Sequence, residues 1–442
     1  MSERASGATM TLSLQSAFDA LDRVRTIQVT GRVTEAVGLV VRALVPGIRL
    51  GELVEIARDG APLLAEVEGF RGDEAILFPL GDTRGIGPDS TVHPTGKSFT
   101  MRCGEALLGR VLDGLGEPCD GLPPASGLEP WAVERPAPDP LTRARIDRPL
   151  VTGIRAIDAF ATFGEGQRIG LFAGSGAGKS MLLGHLARSG TADVNVICLV
   201  GERGREVRDF LADSLGDGLR RSVVVCATSD APSLVRLKSA FVATAVAEWF
   251  RDRGARVLLL VDSLTRFARA QREVGLAAGE PPVRHGYPPS VFGILPRLLE
   301  RTGRARTGSI TAVYSVLVAG GDMDEPIADE VRGILDGHIV LDRELGARGR
   351  WPAIDVLRSL SRVMPQVTSS DHRARADAVR EILATYERQR DLILLGAYRA
   401  GSDQRVDHAI ARIEAVEAFI RQPSGASTPF QDMLGQLSRL LS

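Results

Sequence analysis

Lysine is nearly absent from this sequence of 442 residues, which has only Lys97, Lys179 and Lys238 among 54 basic residues. The formal net charge is −1, so the overall balance indicates neither a nucleic-acid binder nor a polybasic membrane protein. The scarcity makes Lys179 conspicuous, because the larger, forked side chain of arginine could not easily replace a compact ammonium group at that position.

Cysteine is also rare, and the four cysteines show no CxxC spacing. The four are Cys103, Cys119, Cys198 and Cys226. Cys198 and Cys226 lie inside apolar, strand-like runs and are predicted to be buried thiols. We therefore expect a reducing cytosol and no zinc site. The sequence has no apolar run of eighteen residues and no N-terminal signal-peptide core, so we expect neither a membrane span nor a cleaved signal.

The N-terminal part divides into two segments. Apolar residues in 12–24 recur at helical spacing, so segment 1–25 is predicted to hold an amphipathic helix. This helix either caps a domain or serves in docking and oligomerisation, against a partner or a membrane surface. Segment 26–97 changes to short strands of period two between Gly, Asp and Pro turns, which predicts a small β-barrel. Residues 20–95 contain 8 Arg and 11 acidic residues, and this balance disfavours an RNA-binding barrel.

The rest of the chain predicts three further segments. Residues 98–150 are rich in Pro and Gly and are predicted to form an extended connection. Residues 151–364 alternate helical patterns with continuous apolar runs: "RIGLFA", "VNVICLV", "SVVVCA", "RVLLLV" and "SITAVYSVLV". Unbroken hydrophobicity is typical of strands covered on both faces, so we expect a mostly parallel sheet between helices. Residues 365–442 are predicted to form a helical C-terminal domain.

The stretch "LFAGSGAGKSMLLGHLARSG", Leu171 to Gly190, has the pattern of a phosphate-binding loop between a strand and a helix. Its glycines let backbone N–H groups approach phosphate oxygens, and the helix N-terminus adds a positive dipole. Lys179 is expected to reach the β- and γ-phosphates, and Ser180 to bind Mg²⁺. Ala173 stands where the strict motif has glycine, and an empty glycine-rich turn is the alternative. The predicted nucleotide-binding residues here are Gly174, Ser175, Gly176, Ala177, Gly178, Lys179, Ser180 and Met181.

Two carboxylates follow strands that should end at the same edge of the sheet, where ligands gather. Asp262 ends "RVLLLVD" and is a candidate Mg²⁺ partner, with a helix N-cap as the alternative. Glu202 follows "VNVICLVG" and could polarise a water for attack on the γ-phosphate, with Arg203 orienting it or the phosphate. A solvated ion-pair cluster with Arg205 and Glu206 is the alternative for this pair.

Several longer motifs occur in a fixed order: "AGSGAGKS", "VGERGREVRDF", "LLLVDSLTRFARAQREVGLAAGEPP", "GYPPSVF", "ILDGHIVLDREL" and "WPAIDVLRSLSRVM". Together they resemble the ATPases of type III protein secretion systems, which are relatives of the catalytic subunits of rotary ATP synthases. The resemblance covers nearly the whole chain and is stronger to the injectisome type, with the flagellar export ATPase a close second. It implies an α/β fold, with a RecA-like P-loop ATPase core between a small N-terminal β-barrel and a helical C-terminal domain.

The resemblance also implies roles for single residues. The family tends to have alanine at Ala173, so the imperfect loop is a family trait. Glu202 matches the catalytic glutamate, with Arg203 beside it. Asp262 matches the aspartate on the Mg²⁺ side, and Arg266 matches an arginine that reaches toward the phosphates.

Two further positions link the site to its surroundings. Arg362 matches an arginine finger offered to the nucleotide of a neighbouring subunit, which implies a homohexamer; an intrachain salt bridge with Asp355 is the alternative. Trp351 stands where the family more often has Tyr or Phe stacking on adenine, and a tryptophan packed in the core is the alternative. Loops 277–286 and 320–326 resemble those that touch a central stalk, although composition alone fits ordinary solvated loops equally well.

The resulting hypothesis is a Mg²⁺-dependent ATP hydrolase that energises type III secretion as a homohexamer at the cytosolic face of the bacterial inner membrane. It would release chaperones and unfold exported effectors. Its expected partners are stalk and stator or regulator proteins and chaperone–effector complexes, with peripheral membrane association through the apparatus and no nucleic acid. The alternatives are a flagellar export ATPase and a non-catalytic nucleotide-binding ring subunit, which would usually lack Glu202. An RNA translocase of the transcription-terminator type is disfavoured by the acidic barrel.

Overall fold

The computed structural model of the protein describes residues 29–174 and 176–441. The helix predicted at 12–24 and the nucleotide-binding position Ser175 lie outside the described residues. The chain divides into two compact units, Met1–Lys97 and Ser98–Ser442.

The first unit contains a closed six-stranded barrel, as the period-two pattern predicts, with strand order β1-β2-β5-β4-β3-β6. Every pairing with a described register is antiparallel. Alternate residues point inward and form one buried apolar cluster, which explains the period of two. The strands are β1 Gly31–Val37, β2 Val40–Leu44, β3 Glu52–Ile56, β4 Leu63–Arg71, β5 Glu74–Pro79 and β6 Thr91–Ser98.

The second unit is built on a nine-stranded, mostly parallel sheet of order β19-β18-β12-β17-β15-β13-β14-β8, with β16 paired to β17. All five apolar runs form strands of this sheet, which confirms the prediction. The strands of the unit are β7 Thr100–Cys103, β8 Val111–Asp113, β9 Glu129–Ala132, β10 Pro149–Leu150, β11 Phe163–Gly164, β12 Arg168–Ala173, β13 Val194–Glu202, β14 Ser222–Thr228, β15 Arg256–Asp262, β16 Gly303–Arg304, β17 Ser309–Leu317, β18 Gly337–Leu341 and β19 Ile354–Ser361.

Helices pack against the sheet and continue to the end of the chain. All nine residues of β13 are buried, because neighbouring strands and helices cover it on every side. The α-helices are Arg155–Phe160, Lys179–Ser189, Gly204–Asp209, Ser233–Asp252, Leu264–Ala277, Pro289–Leu299, Pro326–Ile334, Arg343–Ala347, Met364–Val367, Ser370–Leu394, Gln404–Ile420 and Phe430–Arg439. In the part of the chain that the structure describes, no helix is both long and apolar enough to span a bilayer.

Segment 98–150, predicted as an extended connection, also contributes to the sheet. Its strand β8 pairs in parallel with β14, placing Asp113 opposite Cys226. A run of three residues is too short to give a strand signal in the sequence. Cys226 was expected to be buried but is half-buried, because only this short strand flanks β14 on that side, whereas Cys198 in β13 is fully buried.

The C-terminal helices pack closely onto the sheet domain. Phe419 meets Phe160 edge to face, with ring centroids 6.0 Å apart. The Arg350 guanidinium lies 2.9 Å from Glu417. These contacts hold the chain after helix Gln404–Ile420 beside the loop that follows β18, and this matters for the site described next.

Candidate active site

The glycine-rich loop leaves β12 at Ala173 and enters helix Lys179–Ser189. Gly176 and Gly178 have φ angles of 79° and 84°, in the left-handed region that glycine adopts without the strain of a side chain. This turn directs the first residues of the helix toward the carboxyl edge of the sheet. The described part of the loop therefore has the geometry of a phosphate cradle.

The order of the strands brings the predicted charged residues together. Asp262 ends β15 and Glu202 ends β13. These two strands are neighbours and run parallel to β12, so their carboxyl ends lie at the same edge of the sheet as the start of the loop. The Lys179 ammonium forms an ion pair with Asp262 and lies 3.8 Å from Oε1 of Glu202. Asp262 is 3 % exposed and Glu202 8 %. Two buried carboxylates and one ammonium thus face the mouth of the loop.

Asp262 has a second contact that the sequence did not indicate. Its Oδ1 accepts a 2.7 Å hydrogen bond from the Ser315 hydroxyl on β17. The N-cap alternative for Asp262 is wrong, because Ser263 caps helix Leu264–Ala277 by accepting from the Arg266 backbone N–H at 3.3 Å. The Asp262 carboxylate is therefore held by side chains of the site.

Glu202 belongs to the interior rather than to a surface cluster. Arg266 forms an ion pair with it. Burial raises the pKa of Glu202 above its ordinary value, and a hydrogen bond with Glu206 acts in the same direction, against the opposing influence of Arg266 and Lys179. Arg203 is not brought to this carboxylate: its exposed side chain lies 3.4 Å from Glu206.

A cavity that is open to solvent at its mouth lies between the glycine loop and the chain around Trp351. Trp351 is 38 % exposed, so it is not a core tryptophan. Its indole lies against Gly178, where a methyl group would stand only 2.5 Å from the ring. The cavity is lined by Ile154, Ala177, Gly178, Met181, Leu182, His185, Leu341, Trp351, Pro352, Ala353, Gln422, Pro423 and Ser424.

The C-terminal helical region supplies one wall of this cavity, which sequence reasoning missed. The Gln422 backbone N–H donates a 2.8 Å hydrogen bond to the Trp351 carbonyl. The Gln422 side chain accepts from the Arg155 backbone N–H at 2.9 Å and donates to the Gly153 carbonyl at 2.8 Å. A local sequence pattern cannot predict these contacts, because Gln422 is about 70 positions from Trp351 and about 270 from Gly153 and Arg155.

Arg362 follows β19 and is exposed. Its backbone N–H donates to the Asp336 carbonyl at 2.9 Å. Asp355, its alternative partner, instead accepts hydrogen bonds from the backbone N–H groups of Leu357 and Arg358. Within residues 29–174 and 176–441, Arg362 has no ion pair with a carboxylate.

Three family models match the chain. The nucleotide-binding domain of the ATP synthase alpha/beta family covers residues 153–361, and the beta-barrel domain of the same family covers 33–96. The C-terminal domain of the type III secretion ATPase EscN covers residues 368–439. The loop, the two strand-end carboxylates and the sheet order thus belong to a P-loop ATPase of this class.

Similar proteins match nearly the whole length of the chain. A type 3 secretion system ATPase of Xanthomonas euvesicatoria is 53 % identical and covers 92 % of this chain and 93 % of its own. A flagellum-specific ATP synthase of Bacillus subtilis is 47 % identical, with 97 % and 99 % covered. The structure of the assembled ATPase EscN from enteropathogenic E. coli superposes with a TM-score of 0.88 at 44 % identity, over 93 % of this chain and 100 % of that one.

The chain belongs to the ATP synthase alpha/beta family and, within it, to the type III secretion system ATPases. This confirms the resemblance, the fold class and the enzyme class predicted from the motifs. The protein is an ATP hydrolase that energises type III secretion, with flagellar export ATPases as near relatives.

Proposed function

We propose that the protein hydrolyses Mg²⁺-bound ATP at the interfaces of a homohexameric ring. The proposal rests on the placement of the charged site residues in the protomer: most lie in one cluster, and one arginine lies apart from it. Lys179, Asp262, Glu202 and Arg266 form one compact cluster, whereas Arg362 is exposed and unpaired with carboxylates of the described chain. An arginine available outside its own protomer is what a neighbouring site requires.

Each residue of the cluster has a separate part. Lys179 and the N–H groups of the glycine loop hold the β- and γ-phosphates. Glu202 positions the attacking water, and its raised pKa makes it a better proton acceptor than an ordinary carboxylate once it is ionised. Arg266 fixes Glu202 through their ion pair, and Trp351 stacks on the base. Arg203 lies outside this cluster, and it could affect Glu202 only indirectly, through its ion pair with Glu206.

The donor set at the loop fits a magnesium ion. The Ser180 hydroxyl and the Asp262 carboxylate are the hard oxygen ligands that Mg²⁺ takes, together with substrate phosphates. In the described part of the chain, no three His, Cys, Asp or Glu side chains are placed to hold a metal by themselves, which agrees with an ion held mainly by the nucleotide. When bound, it neutralises charge on the β- and γ-phosphate oxygens.

The surroundings of the site support the proposed assembly. The related EscN has been solved as an assembled ATPase and in complex with its central stalk EscO. Loops 277–286 and 320–326, proposed to contact a central stalk, are mostly exposed. Arg284 in the first loop lies 3.1 Å from Asp329, in the helix that follows the second. Both loops therefore lie on one side of the second unit and could meet the same partner.

The far end of helix Ser370–Leu394 is proposed to receive chaperone–effector complexes. Leu392, Leu394 and Leu395 are exposed there together, a grouping typical of a protein-binding patch. We further propose a position at the cytosolic face of the inner membrane, reached through stator or regulator proteins.

Replacing Leu392, Leu394 and Leu395 by aspartate should abolish chaperone capture with ATP turnover intact, whereas Leu357→Asp, also at an exposed leucine, should leave capture intact. Capture by the triple variant at the parent level would refute the docking site.

Arg362→Ala, compared with Arg358→Ala on the adjoining strand β19, tests the shared site. Loss of an arginine finger lowers kcat by about 10³–10⁵ in comparable enzymes, with nucleotide affinity little changed. Arg358 is exposed, and its side chain donates a long hydrogen bond of 3.5 Å to the Gly321 carbonyl, so its variant should turn over ATP almost normally. Equal rates in the two variants would remove the basis of the ring proposal.

A Glu202→Gln variant separates this reading from that of a non-catalytic ring subunit. Turnover should be lost while nucleotide binding is kept, because the amide preserves the shape of the side chain but cannot accept the proton of the water.

A strain carrying Lys179→Ala distinguishes flagellar from injectisome function when it is scored for both motility and effector secretion. Loss of secretion alone supports the proposal, and loss of motility alone contradicts it.

A further inference from the structure

His185 lies on helix Lys179–Ser189, where its side chain lines the cavity beside Trp351 and Gly178. It is 8 % exposed, and its Nε2 is buried without a hydrogen-bond partner. Buried polar atoms are almost always paired in folded proteins, and an unpaired one in a binding cavity is explained most simply by a missing ligand atom.

The other polar side chains of the cavity are either occupied or at its mouth. The Gln422 amide is occupied on both ends, donating to the Gly153 carbonyl and accepting from the Arg155 backbone N–H. Ser424 is exposed and needs no partner from a ligand. His185 is therefore the side chain of the described cavity that combines burial with an unused hydrogen-bonding atom.

The charge state of His185 suits a neutral heterocycle better than a phosphate. Burial lowers the pKa of His185, and Arg188 lowers it further, so the imidazole is neutral near pH 7 with one N–H and one acceptor nitrogen. Such a ring can pair with a ring nitrogen or the exocyclic amine of adenine. Guanine presents a carbonyl and an N–H at the corresponding edge, so the tautomer of His185 that pairs with adenine at a given position does not pair with guanine there.

We propose that His185 hydrogen-bonds the purine base stacked on Trp351 and thereby sets the preference of the enzyme for adenine over guanine. This inference rests on the proposed function, because it takes the cavity as the base site. His185 is a specificity-determining residue in this account and takes no part in phosphoryl transfer.

Two variants test the inference by displacement of a fluorescent ATP analogue with ATP and with GTP. His185→Leu removes the hydrogen bond, and His185→Gln keeps an amide nitrogen near the position of Nε2. The leucine variant should bind ATP about 3- to 10-fold more weakly, the range of a neutral hydrogen bond, and lose its preference over GTP by the same factor. The glutamine variant should retain most of both, and kcat should stay unchanged, since base contacts act equally on bound substrate and transition state.

Thermal unfolding without nucleotide separates recognition from a structural role. Removing an unpaired buried nitrogen relieves its desolvation cost, so the Tm of His185→Leu should equal or exceed that of the parent. A lower Tm, or equal loss of ATP and GTP affinity, would overturn the inference. If the leucine variant does not fold, the parent protein with 1-deaza-ATP, 7-deaza-ATP and purine riboside triphosphate replaces it: at least one should bind 3- to 10-fold more weakly than ATP, and three affinities equal to that of ATP would overturn it.

Trp351→Ala in the same assay identifies which statement fails. If this variant binds ATP as tightly as the parent, the cavity is not the base site, and the inference falls together with the base-stacking role proposed for Trp351, whereas the proposed hydrolysis at ring interfaces is still tested separately by Arg362→Ala. If Trp351→Ala weakens ATP binding while His185→Leu does not, the base site stands and only the inference about His185 is wrong.

Discussion

Gly176 and Gly178 provide a matched pair of substitutions in the nucleotide loop. Both have left-handed φ angles, 79° and 84°, so alanine at either position costs about 1–2 kcal/mol in backbone strain. Only Gly178 faces a side chain: a methyl group there would lie 2.5 Å from Cζ3 of Trp351 and 3.3 Å from Cε3, whereas nothing lies within 4 Å at Gly176. The difference between the two variants therefore reports the contact with Trp351.

The size of the loss in Gly178→Ala depends on how the protein relieves the clash between the new methyl group and the indole of Trp351. Forcing a methyl group into an occupied space costs about 1–3 kcal/mol, which for a domain of this size corresponds to a further drop in Tm of a few degrees, roughly 2–4 °C per kcal/mol. If the indole instead swings away, the protein keeps its Tm but loses the base stacking that we propose for Trp351, which is worth about 1–3 kcal/mol per base. Gly178→Ala must therefore lose more than Gly176→Ala in either Tm or nucleotide affinity.

Thermal unfolding and displacement of a fluorescent ATP analogue measure both losses. The extra cost of Gly178→Ala should disappear when both substitutions are made in a Trp351→Ala background, because the residue that the methyl group strikes is gone. Equal losses in the two alanine variants, or an excess that persists without Trp351, would refute the placement of the indole over the loop.

Three further predictions concern buried charges. Because the folded pKa of Glu202 is raised, its contribution to stability is present below the unfolded pKa and lost as pH rises through the folded value. Glu202→Gln should then unfold at a higher temperature than the parent at pH 8 and show a smaller advantage at pH 5, and a constant difference would contradict this sign. Glu248→Ala should cost about 3–5 kcal/mol in urea unfolding, since it strands Arg301, which is 1 % exposed and bonded to Glu248 at 2.6 and 3.0 Å; a loss below 1 kcal/mol would contradict it. Ser315→Ala should lower kcat several-fold with little change in KM, because Asp262 loses its 2.7 Å hydrogen bond, and unaltered kinetics would argue against that support.

Local sequence patterns were sufficient to predict most of the fold. The continuous apolar runs predicted the buried strands because coverage on both faces removes the need for alternation, and the motif around Lys179 predicted the loop. The positions of Glu202 and Asp262 at strand ends sufficed to expect them together, since parallel strands present their carboxyl ends at one edge.

Contacts between distant segments left no local signal. Gln422 reaches the cavity beside Trp351 only through tertiary packing. Ser315 lies within an apolar strand, where a single hydroxyl gives no sign of a contact with Asp262. Strand β8 is too short for periodicity to reveal it. The sequence also could not show that Arg203 turns toward solvent while Arg266 takes the contact with Glu202, because both follow strand ends in equally polar stretches.

Mixing two inactive variants tests the shared site most directly. Lys179→Ala protomers keep Arg362, and Arg362→Ala protomers keep the nucleotide loop, so neither ring alone contains a complete interface. With random mixing at equal amounts, roughly a quarter of the interfaces join an intact loop to an intact arginine. ATP turnover should appear on mixing and approach that fraction of the parent rate. A mixture as inactive as its two components, under conditions where the subunits exchange, would contradict it.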